Sequence, residues 1–263
     1  MALMQVNDLT MRFGGIVAVD SLTFDVEEGA ITALIGPNGA GKTSAFNCLT
    51  GFYKPTSGSV LYKNESLIGL APHQITYKRI IRTFQNVRLF KNMSVLENVM
   101  SGAHSVSNQF VMGALLRHGP QRREEKEILE RAEYCLEFIG IPDLRHKTAK
   151  NLSYGDQRRT EWARALAANP DLILFDEPAA GLNSEEKARL IELIRRLRDE
   201  LGITIFLIEH DMGLVMEISE KIIVINFGKK IAEGTSEEVQ SNPLVIDAYL
   251  GTDDDEEDSP WQM

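Results

Sequence analysis

Two carboxylates, Asp176 and Glu177, stand side by side after the apolar run LILF, and a lysine and a threonine, Lys42 and Thr43, close the run GPNGAGKT that begins at Gly36. A lysine in that place reaches the β- and γ-phosphates of a nucleoside triphosphate, and the threonine hydroxyl ligates Mg²⁺. Adjacent carboxylates repel unless a cation offsets them, so Asp176 is assigned to Mg²⁺, through a water, and Glu177 to the water that attacks the γ-phosphate. A histidine, His210, closes a third apolar run, ITIFLIEH. Taken alone, a histidine after such a run reads as structural.

These groups need elements that bring them together. ITALIG, Ile31 to Gly36, reads as a short buried strand running into a turn with three glycines, Gly36, Gly39 and Gly41, and then into a helix that opens at about Lys42. The run Gly36, Pro37, Asn38, Gly39, Ala40, Gly41, Lys42, Thr43 and Ser44 is expected to wrap an anion, with successive amides converging and a helix N-terminus behind them. Leu172 to Phe175 suits a central strand buried on both faces, which sets Asp176 and Glu177 at its carboxyl end, where open parallel sheets bind ligands. Ile203 to Ile208 suits a second such strand and puts Glu209 and His210 at the same edge. LSYGDQ, Leu152 to Gln157, opens a helix that carries Arg158, Arg159 and Arg164. The Ser153 hydroxyl, the Gly155 amide and the helix N-terminus form a credible anion site, and an ordinary serine helix cap has the same local look.

Residues 1–98 hold short strand-like runs and the phosphate loop, as the first part of a nucleotide-binding core. Residues 99–151 turn helical: Leu129, Ala132, Leu136 and Ile139 recur three and four apart in QRREEKEILERAEYCLEFIG and give one apolar face. Residues 152–250 return to alternating strand and helix patterns, as the second part of the core. No internal repeat is found. Residues 251–263 contain DDDEED and are expected to be a disordered, solvated end.

The composition, 43% hydrophobic and 25% charged over 263 residues, is that of an ordinary soluble protein able to bury a core. No apolar run approaches the ~20 residues needed to cross a bilayer. The start, MALMQVNDLT, lacks the basic residues and cleavage site of a signal peptide. Cys48 and Cys135 form no metal or redox pattern and read as reduced and structural, which fits a cytoplasmic setting. Six of the acids behind the net charge of −10 lie in Asp253 to Asp258, so the folded body is mildly acidic. An acidic body offers no broad footprint for nucleic acid, and a nucleic-acid partner is not expected.

In this order the four motifs resemble the ATP-binding-cassette family, and the resemblance runs from Phe13 to Gly251. It implies an α/β fold: a RecA-like P-loop NTPase core with an antiparallel β subdomain and an inserted α-helical subdomain. LSYGDQ is similar to the signature LSGGQ, with Ser153 and Gly155 kept, Tyr154 in place of a glycine and Asp156 in place of the glutamine. The resemblance implies ATP and Mg²⁺ as cofactors and Lys42, Gln85, Glu177 and His210 as the catalytic set. In it His210 contacts the γ-phosphate and holds the catalytic carboxylate and water. Gln85, in RTFQNVRLF, matches the flexible glutamine that joins Thr43 and Asp176 on Mg²⁺ and links the site to a transmembrane partner. Phe13, in MRFGG, matches an aromatic that stacks on adenine through its π face. Ser153 and Gly155 are implied to reach the γ-phosphate bound by a second cassette, so that no monomer holds a complete site. Asn183, in AGLN, stands where that loop usually carries aspartate.

Within the family the chain looks nearest to the ATPase subunits of bacterial importers for branched-chain, hydrophobic amino acids, on RTFQNVRLF, LSYGDQRR, DEPAAGLN, LIEHDM and DAYLG. This implies a peripheral place on the cytoplasmic face of the cell membrane, a second ATPase subunit, identical or paralogous, and two permease subunits. A periplasmic or extracellular solute-binding protein would act on it indirectly. ATPases for urea or short amides, or for lipopolysaccharide export, share several of these strings, and a regulatory cassette that binds ATP without transport stays open. A small-molecule kinase would share the phosphate loop but has no use for LSYGDQ or His210.

Overall fold

The computed structural model describes residues 1–104 and 119–250; the acidic run expected to be a disordered end lies outside them. The strands are β1 (Ala2–Phe13), β2 (Ile16–Glu27), β3 (Ile31–Ile35), β4 (Ser57–Tyr62), β5 (Glu65–Ser66), β6 (Ile80–Arg82), β7 (Leu172–Asp176), β8 (Thr204–Ile208), β9 (Lys221–Asn226) and β10 (Lys229–Gly234). The helices are α1 (Lys42–Leu49), α2 (Pro72–Tyr77), α3 (Val95–His104), α4 (Gly119–Ile139), α5 (Tyr154–Ala167), α6 (Ser184–Asp199), α7 (Met212–Ile218), α8 (Ser236–Gln240) and α9 (Pro243–Leu250). The chain forms two compact units, Met1–Ile75 with Leu174–Met263, and Thr76–Ile173.

In the first unit, one antiparallel sheet runs β2-β1-β4-β5, with Phe13 opposite Ile16 across a two-residue turn. The second sheet has the order β10-β9-β3-β8-β7, and its centre is parallel: β3 pairs with both β8 and β9 in that sense. Strands β3, β7 and β8 are buried at every residue, which is why their sequences are apolar without alternation. Phe206 of β8 joins the layers: it packs 5.4 Å from Phe24 of β2 and 5.0 Å from Phe46 of α1, between ring centroids. Helix α6 buries Leu190, Leu193, Ile194 and Leu197, an i, i+3, i+4, i+7 face.

The second unit is mostly helical. Strand β6 lies beside the start of β7, where the amides of Asp171 and Leu172 donate to the Arg79 carbonyl at 2.9 and 3.3 Å. Helices α3, α4 and α5 pack together. A Cβ on Gly102 of α3 would lie 2.1 Å from the Arg164 carbonyl of α5, so that approach requires glycine. Arg131 of α4 donates to the carbonyls of Ala167 and Leu166 at the end of α5, at 2.6 and 3.3 Å, closing groups the helix leaves open. Along α4 the buried face is Ile128, Ala132, Cys135, Leu136 and Ile139. Leu129, expected on that face, is half-buried; a 3.6-residue turn fits Ile128 to Ala132 equally well, and packing selects between them.

Both cysteines are free and buried, and burial pushes their thiols up, Cys48 to about 11 and Cys135 to about 12. Burial of this kind disfavours the thiolate, the reactive form of cysteine. Among the described residues no helix is long and apolar enough to cross a membrane.

Candidate active site

The phosphate loop leaves β3 and enters α1 at Lys42. A Cβ on Gly36 would sit 2.1 Å from the Ile225 carbonyl, and one on Gly41, whose φ is +104°, 2.2 Å from that of Ala18. These glycines are therefore required by the protein's own backbone as well as by any ligand. Gly41 provides no side-chain cap, and the first turn of α1 carries no acid. Its amide donors and dipole are left to an anion. Thr43 is exposed and Ser44 half-buried at this end; Asn38 and Gly39 are exposed, while Pro37 and Ala40 are buried.

Lys42 is buried, and its Nζ donates to the carbonyls of Gly36 at 2.5 Å and Pro37 at 3.0 Å. Burial holds its ammonium below the ordinary lysine value, and the Glu177 carboxylate works against that shift. Lys42 and Glu177 are thus electrostatic neighbours although they stand 135 positions apart in the sequence, about half the chain.

Asp176 is buried at the end of β7, and Glu177 follows in a left-handed conformation, φ +49°. For a residue with a Cβ that conformation costs about 1 kcal/mol or more. It persists because the Glu177 amide donates to the Ile208 carbonyl at 2.9 Å and the Glu177 carbonyl accepts from Ala180 at 3.2 Å. The Glu177 carboxylate lies 3.9 Å from Nδ1 of His210, whose side chain is 62% exposed. The structure therefore brings Lys42, Glu177 and His210 together, with Asp176 beside them in the chain. Glu209, at the same sheet edge, is fully buried and accepts three backbone bonds, a role invisible in the sequence pattern. Only its place between an apolar run and His210 hinted that it was more than an exposed acid.

Phe13 sits at the end of β1, 42% exposed, with Tyr53 packed edge-on at 5.2 Å between centroids. Tyr53 steadies the ring and was not among the residues picked out from the sequence.

In the second unit, Gln85 is exposed, and its carbonyl accepts from Nη2 of Arg158 at 3.1 Å. Ser153 is the N-cap of α5: its hydroxyl accepts the Asp156 amide at 3.2 Å. The cap geometry is present, and the exposed residue stands with Gly155 at the positive end of the helix. The departures from LSGGQ have local partners. The Tyr154 hydroxyl accepts from Nε and Nη2 of Arg158 at 3.1 and 2.7 Å, and Asp156 pairs with Arg159. Glu161, one turn further on, accepts the Arg88 amide at 3.3 Å and faces Arg164 at 3.6 Å. Burial raises its carboxyl above the usual range, against the pull of the Arg88 amide and of Arg164 and Arg158. One helix thus holds both the signature turn and the glutamine segment. Asn183, the other departure, is the N-cap of α6 in a capping box with Glu186, at 2.9 and 3.0 Å.

Residues 19–180 match the family model described as ABC transporter, and residues 229–255 match that described as branched-chain amino acid ATP-binding cassette transporter. The chain is 49% identical to the high-affinity branched-chain amino acid transport ATP-binding protein LivG of Salmonella typhimurium, over 95% of this chain and 98% of the relative. It is 47% identical to BraF of Pseudomonas aeruginosa, described in the same words, with the same coverage. Among solved structures, an ATP-binding cassette of an ABC transporter in its ADP conformation superposes with a TM-score of 0.83 at 32% identity, covering 95% of this chain and 99% of that one. The nucleotide-binding loop, the strand-end acids and the capped signature helix occur here along a chain that matches these proteins almost end to end, and the chain belongs to the ATP-binding subunits of the ABC transporter family.

Proposed function

We propose that the chain hydrolyses ATP to drive the import of branched-chain, hydrophobic amino acids, as one of two cassettes that close head to tail around two Mg·ATP. The convergence of Lys42, Glu177 and His210 behind an uncapped helix N-terminus carries the chemistry. The solute rests on the likeness to LivG and BraF.

Among the described residues, no three His, Cys, Asp or Glu side chains are grouped to hold a metal. Thr43 and Asp176 would hold Mg²⁺, with Gln85 the third ligand that the resemblance implies, and the ion would supply charge neutralisation at the phosphates. Lys42 exchanges the Gly36 and Pro37 carbonyls for β- and γ-phosphate oxygens. The loop amides from Gly39 to Ser44 bind the phosphates, and Phe13 stacks on the adenine. Glu177 takes the proton of the attacking water, and His210 holds that carboxylate against the γ-phosphate. Ser153 and the Gly155 amide serve the γ-phosphate bound by the partner cassette. Most of the acceleration is positioning and charge stabilisation.

In this reading the protein is peripheral on the cytoplasmic face of the membrane. It moves two permease subunits through the segment around Gln85 and answers to a solute-binding protein outside. The test is reconstitution with two candidate permease subunits and a branched-chain amino acid binding protein. Leucine-loaded binding protein should stimulate hydrolysis and leucine uptake, and stimulation by urea instead would overturn the solute. Shared sites are tested by mixing Ser153→Arg with Lys42→Ala chains. Each should be nearly inactive alone, and hydrolysis should partly return on mixing; normal hydrolysis by a dimeric Ser153→Arg protein would remove Ser153 from the site.

A further inference from the structure

The loop after β7 carries Glu177, and the loop after β8 carries His210. Two sets of bonds join these loops. The first is the Glu177 amide to the Ile208 carbonyl, 2.9 Å. The second is made by one side chain. Glu209 Oε1 accepts the Ala179 amide at 2.6 Å, and Oε2 accepts those of His210 at 3.1 Å and Asp211 at 3.4 Å. The side chain is fully buried, so no solvent stands in for a missing bond. A carboxylate accepts at both oxygens, whereas an amide of the same shape turns an NH₂ toward one set of donors. Burial raises the Glu209 carboxyl, while the three amides favour its ionised form. A buried acid is kept here where a neutral residue would fill the same volume.

We infer that Glu209 is a positioning residue for hydrolysis: its buried carboxylate fastens the chain two residues after Glu177 to the His210 backbone and so sets the Glu177–His210 separation. The inference rests on the reading of Glu177 as the base. Glu177 is held at φ +49° on one side of this fastening, and a backbone in that region relaxes when the bonds around it are lost. Relaxation moves the carboxylate relative to the water and leaves the Lys42 loop, which Glu209 does not bond, in place.

The test measures Mg·ATP hydrolysis and nucleotide affinity in the full chain for wild type, Glu177→Gln, Glu209→Gln and the double variant. Glu209→Gln should lower kcat ~10-fold or more through misplacement, with KM and the affinity for a fluorescent ATP analogue within about twofold of wild type. In the Glu177→Gln background it should cost nothing further, because the group it positions is already gone. A wild-type kcat, a rise in KM without a fall in kcat, or an additive loss in the double variant overturns the inference. If Glu209→Gln does not fold, Glu209→Asp decides. It keeps both acceptors one methylene short, so a lowered kcat at unchanged KM supports the positioning role and a normal kcat overturns it. Retained turnover in Glu177→Gln would instead overturn Glu177 as base, whatever Glu209→Gln does, so the two failures are distinguishable.

Discussion

In the first unit the Lys42 ammonium donates to two carbonyls of its own loop, and the Glu177 amide donates a hydrogen bond to the Ile208 carbonyl. In the second unit Gln85 and the turn around Ser153 are held by side chains of a single helix, Arg158, Tyr154 and Glu161. The Glu177 bond runs from backbone to backbone and survives a change of its side chain, so this candidate catalytic group is separable from the stability of the first unit. A buried ionic network has no such slack, because deleting one member leaves the others desolvated and unmatched. Chemistry and folding are therefore expected to come apart under mutation at Glu177 and to fall together around Arg158.

The largest effect should come from the first unit. Glu177→Gln is expected to lower hydrolysis ~10²-fold or more, in line with the loss of a positioned base, and to keep ATP binding and the unfolding midpoint. It should accumulate an ATP-bound dimer, visible by gel filtration. A fall in stability alongside the lost turnover would break the contrast. Arg158→Met is the matching change in the second unit. Arg158 is almost fully buried, and removing it takes a donor from the Gln85 carbonyl and leaves buried Glu161 with Arg164 at 3.6 Å. Urea unfolding should show a loss of about 3 kcal/mol.

Tyr154→Phe sharpens the same point, because it deletes only the acceptor. Arg158 keeps the Gln85 carbonyl, so the loss should be about 1.5 kcal/mol, as for one bond to a charged group. Asn183→Ala tests a side chain of the first unit that caps a helix and is exposed. Thermal unfolding should register about 1 kcal/mol, with hydrolysis by an isolated dimer little changed. The smallest effect concerns pH. The Ser94 amide and hydroxyl hold the exposed Glu97 carboxyl below its ordinary value. A lowered folded-state value gives stability that is present above the ordinary carboxylate pKa and is lost as pH falls through the lowered one. Ser94→Ala keeps the amide and removes the hydroxyl, so it should make the acid limb of a melting-temperature profile shallower below about pH 4 by the hydroxyl's part alone.

Much of the nucleotide site was legible because it depends on short-range rules. A glycine run between a buried strand and a helix dictates a backbone path, and acids after a wholly apolar strand can lie only at its end. The sequence by itself thus determined the phosphate loop, the three buried strands, the strand-end acids, the capped signature helix and the family. Tertiary structure alone decided the partners. It chose Ile128 over Leu129 for the core, packed Tyr53 on Phe13, joined Arg158 to a carbonyl 73 residues away and buried Glu209 against an amide 30 residues away. The physical reason is range. Propensity and periodicity act over one or two turns, while burial and hydrogen-bond satisfaction are properties of a place in space, which a glutamate in LIEHDM acquires only when two loops meet around it.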